Sequence, residues 1–433
     1  MCKKITLKNG LRIITVPQKG TETATVLVLT GTGSKYENKK NNGISHFLEH
    51  MLFKGTKKRP DKIEIAETLD RVGGIYNAFT GSEYTGYWAK VSAGHFDLAL
   101  EWVSDIFLNS ILPAQEVEKE KGVIIEEFNM YYDNSMDYVQ ILWDKLLYGD
   151  QPAGWNVLGT KENVKKMRQQ EIFDYMKTQY TASNTVICVA GKIDESDAIN
   201  KIKKSFSKIN VSKPKKKPKV IDAKVTMSGK SLKMQTKPSC LIEYRKTDQT
   251  HFCLGVRTYN IFNPQRYSQS ILRVILGGMM SSRLFIEVRE KLGLAYYIRT
   301  DTDLNPDTGS LVTQAGVNNN SVEKAISVIL KEYKNLANSK ISYSELKKAK
   351  EYIKGKTAIL LEQSDEIASF YATQEILEKK LLKPQEIYAK IDKVKEEDIR
   401  ALSRDIFQPK NLNMSLIGPF KDKIKFQKIL NKL

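Results

Sequence analysis

Of the four histidines in this 433-residue chain, two stand in His46-Phe47-Leu48-Glu49-His50. On an α-helix of about 3.6 residues per turn, His46 and His50 stack on one face with Glu49 beside them. Two neutral imidazoles can hold a zinc ion at about 2.0–2.1 Å each, and the neighbouring carboxylate can take a proton from a water at an open fourth position. The run is the inverted counterpart of HExxH. Its flanks predict a buried helix over about 43–54: Asn41-Asn42-Gly43 offers N-cap candidates, Ile44, Phe47, Leu48, Met51 and Leu52 form an apolar stripe, and Gly55 supplies a stop. Were the two histidines merely packed, Glu49 would lie buried without a partner, at a cost of several kcal/mol.

Catalytic zinc takes three protein ligands, so a third must come from elsewhere. The best candidate lies on the acidic helix that begins near Pro113, whose plainer reading is a solvated charged helix. One of its faces reads Glu116, Glu120, Val123, Glu127, Met130, mixing carboxylates with apolar side chains as the wall of a buried polar site would. The neighbouring face reads Lys119, Gly122, Glu126, Asn129, Asp133 and belongs in water. Glu127 is therefore favoured over Glu126 as the ligand, and Glu120 could orient His50 or His46 from behind.

HFLEHMLFKGT, with Glu127 following 77 positions after His50, resembles the zinc metallopeptidases that include pitrilysin, insulin-degrading enzyme and the mitochondrial processing peptidase. Gly73-Gly74-Ile75-Tyr76-Asn77-Ala78-Phe79-Thr80 resembles the family's substrate-binding edge strand. Ser282-Arg283-Leu284-Phe285, running on to Tyr296, resembles the segment that completes its active site. The likeness spans the chain and fits the short, two-domain branch of the family. It implies zinc held by His46, His50 and Glu127, with Glu49 as general base. Asn77 and Ala78 would bind substrate main chain by strand addition, which the β-prone run after the Gly-Gly break supports independently. Arg289 and Tyr296 would stabilise the oxyanion or bind the substrate carbonyl, roles that rest on the resemblance. The implied activity is an endopeptidase acting on short or unfolded peptides, with the second half as lid and substrate wall.

The length exceeds a single core, and the pattern of elements predicts an α+β fold of two similar domains in tandem, each a mostly antiparallel sheet with helices packed on one side. The expected domains are 1–210, bearing the metal, and 224–433, without it. The Lys/Pro stretch at 211–223 joins them as a linker. Paired strands near 4–16 and 24–32 are echoed near 231–246 and 251–259. The amphipathic helix Phe96 to Phe107 is echoed by Val322 to Tyr333. Only the first half has the metal-binding residue set.

Net charge is +19, from 69 Lys+Arg against 50 Asp+Glu. The lysines are spread over nearly every segment, with no basic run interleaved with stacking aromatics, so nucleic acid is not an expected partner. A catalytically inactive or partner-dependent subunit of a processing-peptidase-like heterodimer is the competing reading. Such a chain would be expected to lack a ligand or the base, and this one keeps all four, so catalysis is favoured; because it carries both the zinc set and the Arg and Tyr that the resemblance implies, a self-sufficient enzyme and a homodimer are expected. Cys2, Cys188, Cys240 and Cys253 form no CxxC pair and suit a reducing compartment. With no signal peptide and no apolar run of about 20 residues, the expected location is cytoplasmic, without membrane contact. His95 and His251 have no ligand spacing and are read as structural.

Overall fold

The structure, a computed structural model, describes residues 2–216, 218 and 235–432. The strands are β1 (Lys3–Thr6), β2 (Arg12–Pro17), β3 (Thr23–Thr30), β4 (Ile75–Thr80), β5 (Thr85–Ser92), β6 (Thr185–Gly191), β7 (Ser239–Tyr244), β8 (Gln249–Arg257), β9 (Ala295–Leu304), β10 (Gly309–Asn318) and β11 (Leu412–Gly418). They form two sheets, ordered β1-β2-β6-β3-β5-β4 and β7-β11-β8-β10-β9. Every neighbouring pair is antiparallel except β2 with β6 and β7 with β11. Setting β1 aside, the two sheets share strand order and directions, so the repeat visible in the sequence is a repeat of topology. β4 and β9 occupy equivalent edges.

Two compact units result, and they are not the contiguous halves expected at 1–210 and 224–433. The first takes residues 1–129, 155–219 and 358–382. The second takes 130–154, 220–357 and 383–433. Much of the expected 211–223 linker, with the start of the expected strand at 231–246, lies outside the described residues. The exchange has a packing cause. β3 and β6 are mostly apolar and buried on both faces, so helices on one side alone would leave half of that surface wet. Helix Ser364–Glu378, from the carboxy-terminal half, lays Ile367, Ala368, Tyr371, Ala372 and Ile376 on the second face, against Ile14, Leu27, Leu29, Val186 and Cys188. In the other unit, a helix from the amino-terminal half places Val139, Leu142, Trp143 and Leu147 against Cys253 and Ile417. Both sheets are therefore covered on both faces, which corrects the one-sided packing expected from sequence. Among the described residues no helix is long and apolar enough to cross a membrane.

Candidate metal centre

The His46–His50 run folds as α1 (Ile44–Met51), shorter than the predicted 43–54. Ile44, Phe47, Leu48 and Met51 are fully buried in the core of the first unit, which fixes the rotation of the helix and turns His46, Glu49 and His50 to the opposite side. Its amino terminus is not capped by the asparagines. Gly43 takes φ +100°, and a Cβ there would lie 2.6 Å from the Leu158 carbonyl oxygen, so no larger residue fits. The buried Glu37 carboxylate accepts instead from the Gly43 and Ser45 amides, both at 2.8 Å, and from Asn42 Nδ2 at 2.8 Å. A negative side chain at that end also complements the helix dipole.

The acidic segment folds as a helix, Ala114–Asp133, whose inward face carries Val117, Glu120 and Ile124, with Glu127 one turn further. The face expected from sequence is corrected in its companions: Val123 is 51% exposed and Met130 59% exposed. Glu127 still points inward, because it follows Val117, Glu120 and Ile124 at the alternating three- and four-residue spacing of a packed helix face. Glu126 is exposed and accepts from Asn129 Nδ2.

His46, His50 and Glu127 converge. The His46 and His50 Nε2 atoms lie 3.3 Å apart, and each is 3.5 Å from Glu127 Oε2. A tetrahedral ion with bonds of about 2.0–2.1 Å separates its ligand atoms by about 3.3–3.4 Å, so this triangle already has the edge lengths that zinc imposes. Glu127 Oε2 is buried yet has no well-formed hydrogen bond, the state of an acceptor whose partner is an ion. Among the described residues this is the one group of three metal-ligating side chains so closely drawn together. Without an ion the two histidines diverge. Burial, then repulsion from His50, lowers the His46 pKa to about 4. Burial also opposes protonation of His50, but the hydrogen bond to Glu120 and the nearby Glu127 carboxylate raise its pKa to about 9.

Glu120, buried, joins His50 Nδ1 at 2.9 Å through one oxygen and Lys54 Nζ at 2.8 Å through the other. His50 is thus the histidine that Glu120 orients. Lys54, one turn beyond His50, was not singled out from the sequence, although the 46, 50, 54 spacing places it on the same face. Glu49 sits beside the triangle, and its only side-chain hydrogen bond among the described residues comes from Thr80 Oγ1. Burial raises the pKa of its carboxyl above the ordinary range. Thr80 is also absent from the sequence reading, but strand periodicity could have found it, since it shares a face with Ala78.

Asn77 and Ala78 lie on β4, an edge of the six-stranded sheet, as expected. The Ala78 amide donates to Asn77 Oδ1 at 2.8 Å. Arg289 and Tyr296 belong to the second unit. Arg289 sits on a short helical stretch, Phe285–Lys291, its guanidinium 4.7 Å from the Phe285 ring and 5.9 Å from that of Tyr296. Tyr296 is the second residue of β9 and is 79% exposed, so it is no core tyrosine. His251 Nδ1 meets the Tyr297 hydroxyl at 2.9 Å, and the exposed His95 precedes a helix, both away from any ligand set.

The description "Insulinase (Peptidase family M16)" matches residues 12–161, and "Peptidase M16 inactive domain" matches 166–353. The chain is 35% identical over 419 residues to the "Uncharacterized zinc protease YmxG" of Bacillus subtilis, covering 97% of this chain and 98% of that one. It is 31% identical over 424 residues to a similarly named zinc protease of Streptomyces coelicolor, covering 97% and 90%. The fold is shared with a protease from Helicobacter pylori, at TM-score 0.88 and 23% identity over 97% of this chain and 99% of that one. It is also shared with a Pseudomonas fluorescens structure titled as the M16 inactive domain, at TM-score 0.87 and 17% identity over 97% and 98%. Zinc is the metal of these relatives and fits the two imidazoles and one carboxylate seen here. The chain belongs to peptidase family M16, with both the insulinase-type domain and the domain described as inactive in one polypeptide.

Proposed function

We propose that this chain is an active zinc endopeptidase of extended peptides. The reading is carried by one observation: three ligands with tetrahedral spacing stand beside a partly buried carboxyl, Glu49, that is no part of the ligand set. When bound, zinc supplies a Lewis acid for the scissile carbonyl and acidifies water. Glu49 takes the proton from the attacking water and returns it to the leaving amine. A carboxyl whose pKa is raised by burial suits that exchange better than one at the ordinary value. Glu120 keeps His50 in the orientation that aims Nε2 at the ion.

The substrate main chain joins the open edge of β4. The Ala78 amide, held by the neighbouring Asn77 side chain, becomes available to a peptide carbonyl when Asn77 turns to bind the peptide itself. Strand addition requires an extended backbone with free donors and acceptors, which short or unfolded peptides have and folded proteins lack. Arg289 and Tyr296 are assigned to the oxyanion, and the exposure of Tyr296 is what such a role needs. Four free cysteines, three of them buried, support a reducing, cytoplasmic setting.

The test is hydrolysis of quenched unstructured peptides by the zinc-loaded chain, with the products mapped by mass. Internal cleavage that a chelator stops and zinc restores is expected. A zinc-loaded wild type that cleaves no peptide would favour the inactive-subunit reading.

A further inference from the structure

We infer that Thr80 is a positioning residue that locks the Glu49 carboxylate in register with a peptide bound along β4; this rests on the reading of Glu49 as the base. Thr80 is the last residue of β4, and its hydroxyl is the one side-chain donor to Glu49 among the described residues. The bond occupies Oε2 and leaves Oε1 to act on water. Side chains alternate along a strand, so Tyr76, Ala78 and Thr80 share a face, and Tyr76 and Ala78 pack against the core that holds α1. The strand that receives the peptide therefore also carries the donor that holds the base, two residues and about 7 Å from Ala78 along the same backbone.

The contact is fixed at both ends by one segment. The turn after Thr80 is pinned by the Ser34 amide donating to the Gly81 carbonyl at 3.3 Å, and by the Lys35 amide donating to Ser82 at 3.0 Å. A buried ion pair from Lys35 Nζ to Glu83 Oε1, at 3.0 Å, adds to these. The approach is so close that a Cβ on Gly33 would lie 2.1 Å from the Gly81 oxygen. Four residues beyond Gly33, the same segment reaches Glu37, which caps α1. Strand end and base-bearing helix thus hang from residues 33–37, and Thr80 joins them across the site.

The experiment compares wild type, Thr80→Val, Thr80→Ser and Glu49→Gln by zinc content and by kcat and KM on a quenched peptide. Thr80→Val should keep its zinc and its KM within about twofold while kcat falls about 10–100-fold, and Thr80→Ser should stay within about threefold of wild type throughout. Wild-type kcat in Thr80→Val would overturn the inference, as would zinc loss in that variant or an equal fall in Thr80→Ser, which would show that keeping the hydroxyl does not preserve turnover. Glu49→Gln separates the two levels. If it cleaves normally, the reading of Glu49 falls and the inference with it; if it is inactive while Thr80→Val is fully active, only the role of Thr80 falls.

Discussion

Replacing Glu120 by glutamine should weaken zinc binding although Glu120 is not one of the three ligands. In the wild type one carboxylate oxygen accepts a hydrogen bond from His50 Nδ1 at 2.9 Å and the other meets the Lys54 ammonium at 2.8 Å. An amide cannot serve both. With its oxygen toward His50, its NH2 group faces the Lys54 ammonium, donor against donor. Turned round, it donates to Nδ1 and shifts the His50 proton to Nε2, the atom needed by the metal. The first arrangement exchanges a charge-assisted bond of about 1.5–3 kcal/mol for a neutral one of about 0.5–1.5 kcal/mol and adds the repulsion from Lys54. A 10–100-fold loss of affinity, about 1.4–2.7 kcal/mol, is expected. Competition with a chromophoric chelator measures it, and the thermal melt of the metal-free protein shows whether the variant is folded. A folded Glu120→Gln that binds zinc as tightly as wild type would refute the reasoning.

Glu127→Gln should lower zinc occupancy sharply while Glu126→Gln leaves it intact, as read by metal analysis after dialysis; equal occupancies would contradict the inward placement of Glu127. Zinc uptake should be pH-dependent through His50, whose pKa in the metal-free protein is raised to about 9. Below that pH the metal must displace a proton, so calorimetry in buffers of different ionisation heat should find about one proton released per zinc at pH 7.5, with affinity rising about tenfold per pH unit up to pH 9. The same proton stabilises the metal-free fold fully below the unfolded value of 6.5, and that contribution is lost as pH rises through about 9. A flat affinity profile would show that His50 is already neutral. Arg289→Ala should cut kcat/KM about 100-fold without changing zinc content, and loss of zinc in that variant would contradict its assignment to the oxyanion.

How far this architecture could be read in advance depends on whether the signal was local. The α1 motif was legible because its ligand spacing and apolar stripe lie within one helix, and β4 because Gly73-Gly74 marks its start. Glu127 was reached through a face drawn about one position off: Val123 and Met130 are exposed, and Val117 and Ile124 do the packing. Faces about 60° apart on a helix that turns about 100° per residue differ little in composition when charged side chains are spread all round it. The exchange of helices between units was invisible, because an amphipathic pattern shows that Val139 or Ile367 is buried without saying against which sheet. Glu37 was missed for the opposite reason: it caps α1 across a loop, and no periodicity marks a carboxylate six residues ahead of the amide it binds.

The most direct test is the zinc content and peptidase turnover of Glu49→Gln measured on one preparation. Full zinc occupancy with turnover reduced at least about a thousandfold is the predicted result, because the three ligands are untouched and only the proton acceptor is lost. Turnover at the wild-type rate with zinc still bound would show that another group activates the water and that the site has been misassigned.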